Sequence, residues 1–556
     1  MKRKLVMLAL LTAGVAQAQA PDATTVNLIR LLVEQGVLEA EQADALLRQA
    51  QQQAAPALTA EPGDVRVPYI PENVREEITA SLREQVIAEA ERDGWAAPGQ
   101  VADWTRRIKV DADVRLRDES RFMGDGNDPY LVDYHRFNQE GPQDMSPAQI
   151  GLGAYPPFYN TTRDRTNLIR VRARLGVTAM LSDHWEAGLR LATGSSDDPV
   201  STNQTLGGGL EKKDFWLDRG YIRWRSGDRW SVTGGRFATP FLFTDMLYSN
   251  DLNLDGLAVG FDDTDGSGLF ATLGAFPLEY TSDDSPSRSE VKQRSKDKWL
   301  FGAQVGARFQ FSERNSLLAA ASFYEFDNIS GERSAACSPW RSPREGGYGC
   351  STDWSRPAFM QKGNTVFMLR DIALDPTDPA ATPMPQYVGL AAEFQLLDLH
   401  LRWDGDLVND LRYRVHANYI QNLGYSESKM YRRMGATAQG STDGLIGNNV
   451  DLAGRIKSGD TAWMLELSVG NALDIREQGQ WLLQAGYKRI EPDALPDAYN
   501  DASFHRGGTN AKGFYLSGAY GLHRNVWTQL RWMSTEEVYG APLAFDIVQL
   551  DLNARF

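Results

Sequence analysis

Residues 108–117, I-K-V-D-A-D-V-R-L-R, alternate between apolar and polar at every position. So do residues 169–179 (I-R-V-R-A-R-L-G-V-T-A), 301–311 (F-G-A-Q-V-G-A-R-F-Q-F) and 411–420 (L-R-Y-R-V-H-A-N-Y-I). Strict alternation over such lengths predicts strands with one apolar face and one polar face. Strands of soluble proteins average only about five or six residues, whereas a tilted strand needs about nine to eleven to cross a bilayer.

The pattern predicts strands near 108–117, 167–181, 184–193, 213–226, 229–237, 254–262, 268–276, 299–312, 316–326, 387–403, 410–421, 461–470, 480–490, 512–522, 526–535 and 544–556. Their connections alternate in length. Ser182-Asp183, Gly227-Asp228, Glu313-Arg314-Asn315 and His523-Arg524-Asn525 read as tight turns, and between them lie long polar loops such as 118–166, 327–386 and 422–460. Short turns on one side, long loops on the other and an even strand count describe a transmembrane barrel. The expected fold is an all-β transmembrane β-barrel of about sixteen antiparallel up-and-down strands, preceded by a short α-helical periplasmic region. No apolar run is long enough for a spanning helix, and mean hydropathy is negative. A barrel tolerates both, because half of each strand is polar.

The N-terminal hundred residues read differently. Lys2, Arg3 and Lys4, an apolar run and Ala16-Gln17-Ala18 form a signal peptide over 1–18. Residues 19–54 carry an apolar stripe at helical spacing, read as a helical hairpin or coiled-coil segment. Residues 55–72 hold four prolines and form an extended linker. Residues 73–107 read as a periplasmic helix and a lead-in to the barrel at 108–556. Two cysteines, Cys337 and Cys350, sit close together in an exported chain, so one local disulfide is expected. A net charge of −15 argues against nucleic acid as a partner. No nucleophile elbow or histidine arrangement of a hydrolase is present, and neither an enzyme nor a cofactor is expected.

Lipid-facing charge at the bilayer midplane costs about 2–4 kcal/mol for Arg or Lys, so the charged faces point inward. These include Arg170, Arg172 and Arg174; Arg223 and Arg225, with Arg219 and Tyr221; and Arg412, Arg414 and His416. Lys109, Arg115 and Arg117 share a face with Asp111 and Asp113. Two readings stay open: a solvated wall without selectivity, or a basic ladder that steers anions or orients polar solutes. The stretch D-L-N-L-D-G (251–256) matches the start of a calcium loop through Asp251, Asn253 and Asp255. A strand follows instead of a helix, which favours a polar lumen face.

Val548, Leu550, Leu552, Ala554 and Phe556 alternate with polar residues in the last strand. A closed barrel pairs its last strand with its first, so this end is expected to be pinned. The segment also resembles the C-terminal signal of bacterial outer-membrane proteins, which implies the barrel-assembly machinery as a partner through Val548, Leu550, Leu552 and Phe556. In general porins the third outer loop narrows the channel, and by that resemblance Asp245 and Asp251 in 238–253 would form a constriction.

V-R-V-P-Y-I-P-E (65–72), G-W-A-A-P (94–98) and G-R-F-A-T-P-F-L-F-T-D (235–245), followed by D-L-N-L-D-G, resemble the putative porin family of Gram-negative bacteria. That resemblance implies an outer-membrane channel for passive diffusion of small polar or charged solutes. It also implies surrounding outer-membrane lipid and lipopolysaccharide, and a homotrimer. A rival expectation is a structural protein that anchors the outer membrane to the cell wall, its N-terminal helices contacting peptidoglycan.

Overall fold

The computed structural model describes residues 103–144, 156–281, 296–338, 341, 350–377, 385–407, 411–435 and 447–556. The expected signal peptide, helical segments and linker lie outside these residues, as does the lead-in up to residue 102.

Among the described residues sixteen long strands follow one another: β1 (Ile108–Met123), β2 (Arg165–Met180), β3 (Trp185–Thr193), β4 (Phe215–Ser226), β5 (Trp230–Ala238), β6 (Asn253–Asp262), β7 (Gly268–Glu279) and β8 (Lys298–Ser312). The second half comprises β9 (Asn315–Asp327), β10 (Phe394–Asp406), β11 (Arg412–Asn422), β12 (Thr461–Gly470), β13 (Trp481–Ile490), β14 (Ala511–His523), β15 (Val526–Glu537) and β16 (Ala544–Arg555). Each pairs antiparallel with the next, and β16 pairs back onto β1. The sheet is therefore closed, with no edge left to aggregate. At the seam Asp113 faces Arg555, Arg117 faces Asp551 and Met123 faces Phe545. The Phe556 N–H donates to the Ala112 carbonyl at 2.8 Å, so the ladder holds through the last residue.

Burial inverts the order of a soluble protein. Val110, Leu189, Leu273, Val305, Leu530 and Leu550 are each more than half exposed. Between such residues on the same wall, Glu119, Glu186, Gln304, Asp398, Gln549 and Asp551 are buried. Apolar side chains outside and carboxylates inside suit a wall with lipid around it. Trp185, Trp230, Trp403 and Phe311 stand exposed beside the short turns. Phe122, Phe215 and Phe301 do so toward the long loops. Aromatic rings at both rims match the two membrane interfaces.

Toward the long-loop end the inner face becomes apolar. Phe237, Leu254, Phe276, Leu300, Tyr324, Phe394, Leu396 and Ile420 turn inward and pack with Met246, Leu247, Tyr248, Val366, Phe367, Leu369 and Val388 from the loops. A smaller cluster joins Phe504, Tyr515, Met533, Phe545 and Ile547. The long loops are thus not simply polar outer crossings; parts of them fill the outer half of the barrel.

This packing corrects one strand. The expected strand 387–403 begins too early, and β10 starts at Phe394. Val388–Leu390 instead pairs with Val366–Met368 in a separate two-stranded sheet. Gly389 meets Gly331 there so closely that a Cβ on Gly389 would lie 2.7 Å from the Gly331 Cα. A continuous apolar run gives no period to distinguish barrel wall from buried loop.

Candidate functional site

The loop between β5 and β6, residues 239–252, is the short apolar one. Thr239-Pro240 ends β5, because proline cannot donate to the ladder. The segment that follows, F-L-F-T-D-M-L-Y, turns inward and buries Met246, Leu247 and Tyr248 completely. Tyr248 stands edge-on to Tyr324 of β9, with ring centroids 5.6 Å apart.

Polar contacts tie this loop to distant strands. The Gln304 side chain of β8 accepts from the Leu242 N–H at 2.7 Å and donates to the Leu242 carbonyl at 2.8 Å. The Thr244 hydroxyl donates to Asn418 Oδ1 of β11 at 2.5 Å. Lys488 Nζ of β13 donates to Asp245 Oδ1 at 2.6 Å. On the near side, Asp251 Oδ1 lies 3.4 Å from Arg172 and 3.1 Å from Arg174. The Thr202 N–H and hydroxyl donate to Asp251 Oδ2 at 3.1 and 2.9 Å. β2 and β11 lie nearly opposite each other around the closed sheet, so the loop crosses the interior and is latched at both sides.

Burial alone would raise both latching carboxyls. The Lys488 ammonium holds Asp245 below its usual range, and Arg172 and Arg174 hold Asp251 down at about 2. The stabilisation from Asp251 is therefore complete above the ordinary value of 3.8 and is lost only as pH falls through about 2.

The other expected side chains are brought together in part. Arg172 and Arg174 also grip Asp113, at 2.9 and 2.7 Å. Arg170 is 3.7 Å from Glu119. Arg223 and Arg225 converge on Glu186 at 3.3 and 3.1 Å. Arg414 forks onto Asp404 at 2.6 and 2.9 Å, and Arg412 lies 3.7 Å from Asp406. His416 Nε2 is 3.4 Å from His400 Nδ1, and His400 Nε2 is 2.9 Å from Asp398. The calcium-like triplet separates: Asp251 serves the arginines, Asn253 Nδ2 donates to Asp218, and Asp255 pairs with Arg236 at 3.1 Å. Asp251 lies in the loop before β6 begins at Asn253, so the strand alternation that would have placed the three on one face does not reach it. Cys337 and Cys350 are joined as a disulfide. Leu550, Leu552 and Phe556 face outward and Val548 is half-buried.

Sequence reasoning missed Lys488, Arg190 and Asp218. Arg190 meets Asp218 at 2.5 Å because a bulge lets Asp218 slip between the Arg190–Arg219 and Leu191–Leu217 pairs. Lys488 gave a usable signal, since it lies on the inward parity of its strand; its partner Asp245 comes from a loop and has no register.

The loop after β13 carries two further buried carboxyls, Asp493 and Asp497. Burial pushes Asp497 up to about 7, outweighing the nearby Gln361 and Asn364 backbone N–H groups. The folded protein keeps this proton over a range in which an unfolded chain has lost it. Stability should therefore fall as pH rises from about 4 through 7. Asp497→Asn is expected to leave the urea midpoint unchanged below pH 4 and to stabilise by on the order of 4 kcal/mol at pH 8. Equal midpoints at pH 8 would mean that the buried carboxyl is not costly.

A family profile described as Putative porin matches residues 22–556. No curated protein matches the chain significantly. Among solved structures, OprB of Pseudomonas putida is 10% identical over 81% of this chain and 95% of its own, with a TM-score of 0.41. The outer membrane channel DcaP of Acinetobacter baumannii is 10% identical over 81% of this chain and 98% of its own, with a TM-score of 0.35. OmpF of Salmonella typhi, solved with daunomycin, is 8% identical over 81% of this chain and 97% of its own, with a TM-score of 0.36. With the profile spanning the closed sixteen-stranded sheet, the chain belongs to the Putative porin family and is a bacterial outer-membrane channel for solute diffusion, not an enzyme.

Proposed function

We propose that solutes pass between the inward-folded loop 239–252 and the charged wall, with Asp245 and Asp251 setting the constriction. Arg170, Arg172, Arg174, Arg223, Arg225, Arg412, Arg414 and His416 line the path. What supports this reading is the course of the loop, latched to β2 on one side and to β8, β11 and β13 on the other. Selection is by width and wall charge, without chemistry. In the same proposal, residues 1–18 are removed on export, 19–107 remain in the periplasm as helices and linker, and 108–556 form the barrel. Lipopolysaccharide surrounds the outer leaflet side, and the barrel-assembly machinery reads the strand ending in Phe556. The unit in the membrane is a homotrimer.

Single-channel current across a planar bilayer under a salt gradient tests the path. Discrete open steps are expected, with a conductance that rises when Asp245 and Lys488 are both replaced by alanine. Folded, heat-modifiable protein without steps would overturn the reading and leave anchoring to peptidoglycan through residues 19–100 as the function to pursue.

A further inference from the structure

We propose that the inner wall formed by β1–β4 is an oxyanion-binding site, which selects solutes carrying a carboxylate or phosphate group. The proposal rests on the channel reading above and adds the class of solute.

The ladder places arginine opposite arginine four times: Arg115 with Arg172, Arg117 with Arg170, Arg121 with Arg165 toward the long loops, and Arg190 with Arg219. Like charges directly opposite each other destabilise a sheet. A wall built only for stability has no reason to repeat that arrangement; on β10 and β11, Arg414 faces Asp404 instead. The neighbouring carboxylates do not neutralise the set. Asp113 and Asp251 are each shared by Arg172 and Arg174. Asp551 is occupied by both nitrogens of the Arg117 fork, and Asp218 by Arg190.

Arg115 and Arg219 are left with neutral amides. Arg115 Nη2 donates to Asn203 Oδ1 at 2.6 Å, and Arg219 Nε donates to Asn253 Oδ1 at 2.7 Å. Neither has a carboxylate within 4.0 Å among the described residues. Asn203 follows Thr202, which holds Asp251, and Asn253 lies two residues beyond Asp251. The two unneutralised guanidiniums therefore flank the loop's latch on either side. Arg115 Nε, Arg172 Nε and Arg190 Nη2 are also buried without a hydrogen-bond partner among the described residues. A guanidinium cannot shed its charge, and buried donors without acceptors are costly. A planar oxyanion supplies both the charge and the paired acceptors that such forks fit.

The test is the chloride current of the full-length protein in a planar bilayer, titrated with inorganic phosphate and, separately, with malonate. Either anion should reduce the current in a saturable way. Block by both marks general oxyanion recognition, and block by one alone identifies the group preferred. Arg115→Gln and Arg219→Gln should each raise the half-blocking concentration by about tenfold. Arg115→Lys keeps the charge and loses the fork, so block should weaken while chloride preference stays. Arg308→Gln, on β8 across the barrel, should change block less than about twofold, in line with loss of a distant field alone. Correct folding of each variant is checked by heat-modifiable migration. Open steps without block in the wild type would overturn this proposal and leave the channel intact. Equal weakening in Arg115→Gln and Arg308→Gln would also overturn it. Absence of open steps would instead sink the underlying path.

Discussion

Asp551→Ala is expected to destabilise the barrel by about 3–5 kcal/mol, because it strands a buried arginine. Arg117 of β1 forks onto Asp551 of β16 at 2.7 and 2.8 Å, with both side chains about 95% buried. The pair sits at the seam, where the sheet closes on itself. Removing the carboxylate leaves the guanidinium beside Arg115, Arg170 and Arg172 with less to offset them. The effect should appear as a lower temperature of heat-modifiable migration and a lower urea midpoint in detergent. Replacing both partners by apolar residues of similar size, Arg117→Met with Asp551→Leu, should recover most of the loss, since no unpaired charge remains. If the double replacement were as unstable as Asp551→Ala, unpaired charge would not be the cause.

Tyr248 yields a pair of opposite results. Tyr248→Ala removes a fully buried ring from the loop that crosses the interior, at a cost of about 3–5 kcal/mol for a large aromatic. The ring contacts Tyr324 and Phe243 edge-on, at 5.6 and 6.1 Å. Tyr248→Phe keeps the ring and removes a buried hydroxyl that has no hydrogen-bond partner among the described residues. Burial also pushes that hydroxyl's acidity well away from its usual range, toward a higher pKa. Phenylalanine should therefore be as stable as the native residue or more so. In single-channel records, Tyr248→Ala should give larger and noisier currents as the loop loosens, and Tyr248→Phe should match the parent. Unchanged conductance in Tyr248→Ala would show that the loop does not limit flow.

The strands were legible because each must satisfy two solvents at once. Val110, Val114 and Leu116 meet the outside while Asp113, Arg115 and Arg117 meet the inside, and a period of two records that demand. Where the interior is not water, the record fails. Phe545 and Ile547 point inward and Asp546 points outward, so the polar and apolar faces of β16 change places along its length. Residues 387–392 looked like wall for the same reason, an apolar run buried inside the barrel. Parity also named the inward arginines but not their partners. Arg174 finds Asp113 by register, whereas Asp251 and Asp245 arrive from a loop whose path no local pattern encodes. The bulge that admits Asp218 shifts register by one residue, and its only mark in the sequence of β4 is the polar doublet Asp218-Arg219, where the alternation skips a beat.

The closing pair has a consequence for time as well as for strength. Arg117 and Asp551 are 434 residues apart in the chain, whereas most of the other wall pairings join neighbours in a hairpin. Bringing such distant segments together costs roughly 3 kcal/mol more than closing a ten-residue turn. Contacts of that separation form late and slow a folding reaction. The hairpins can assemble one by one, but the wall becomes a tube in a single terminal event. Until that event both β1 and β16 expose open edges and an outward apolar stripe. The interval before closure is therefore when the unpaired edges of β1 and β16 are open to mispairing.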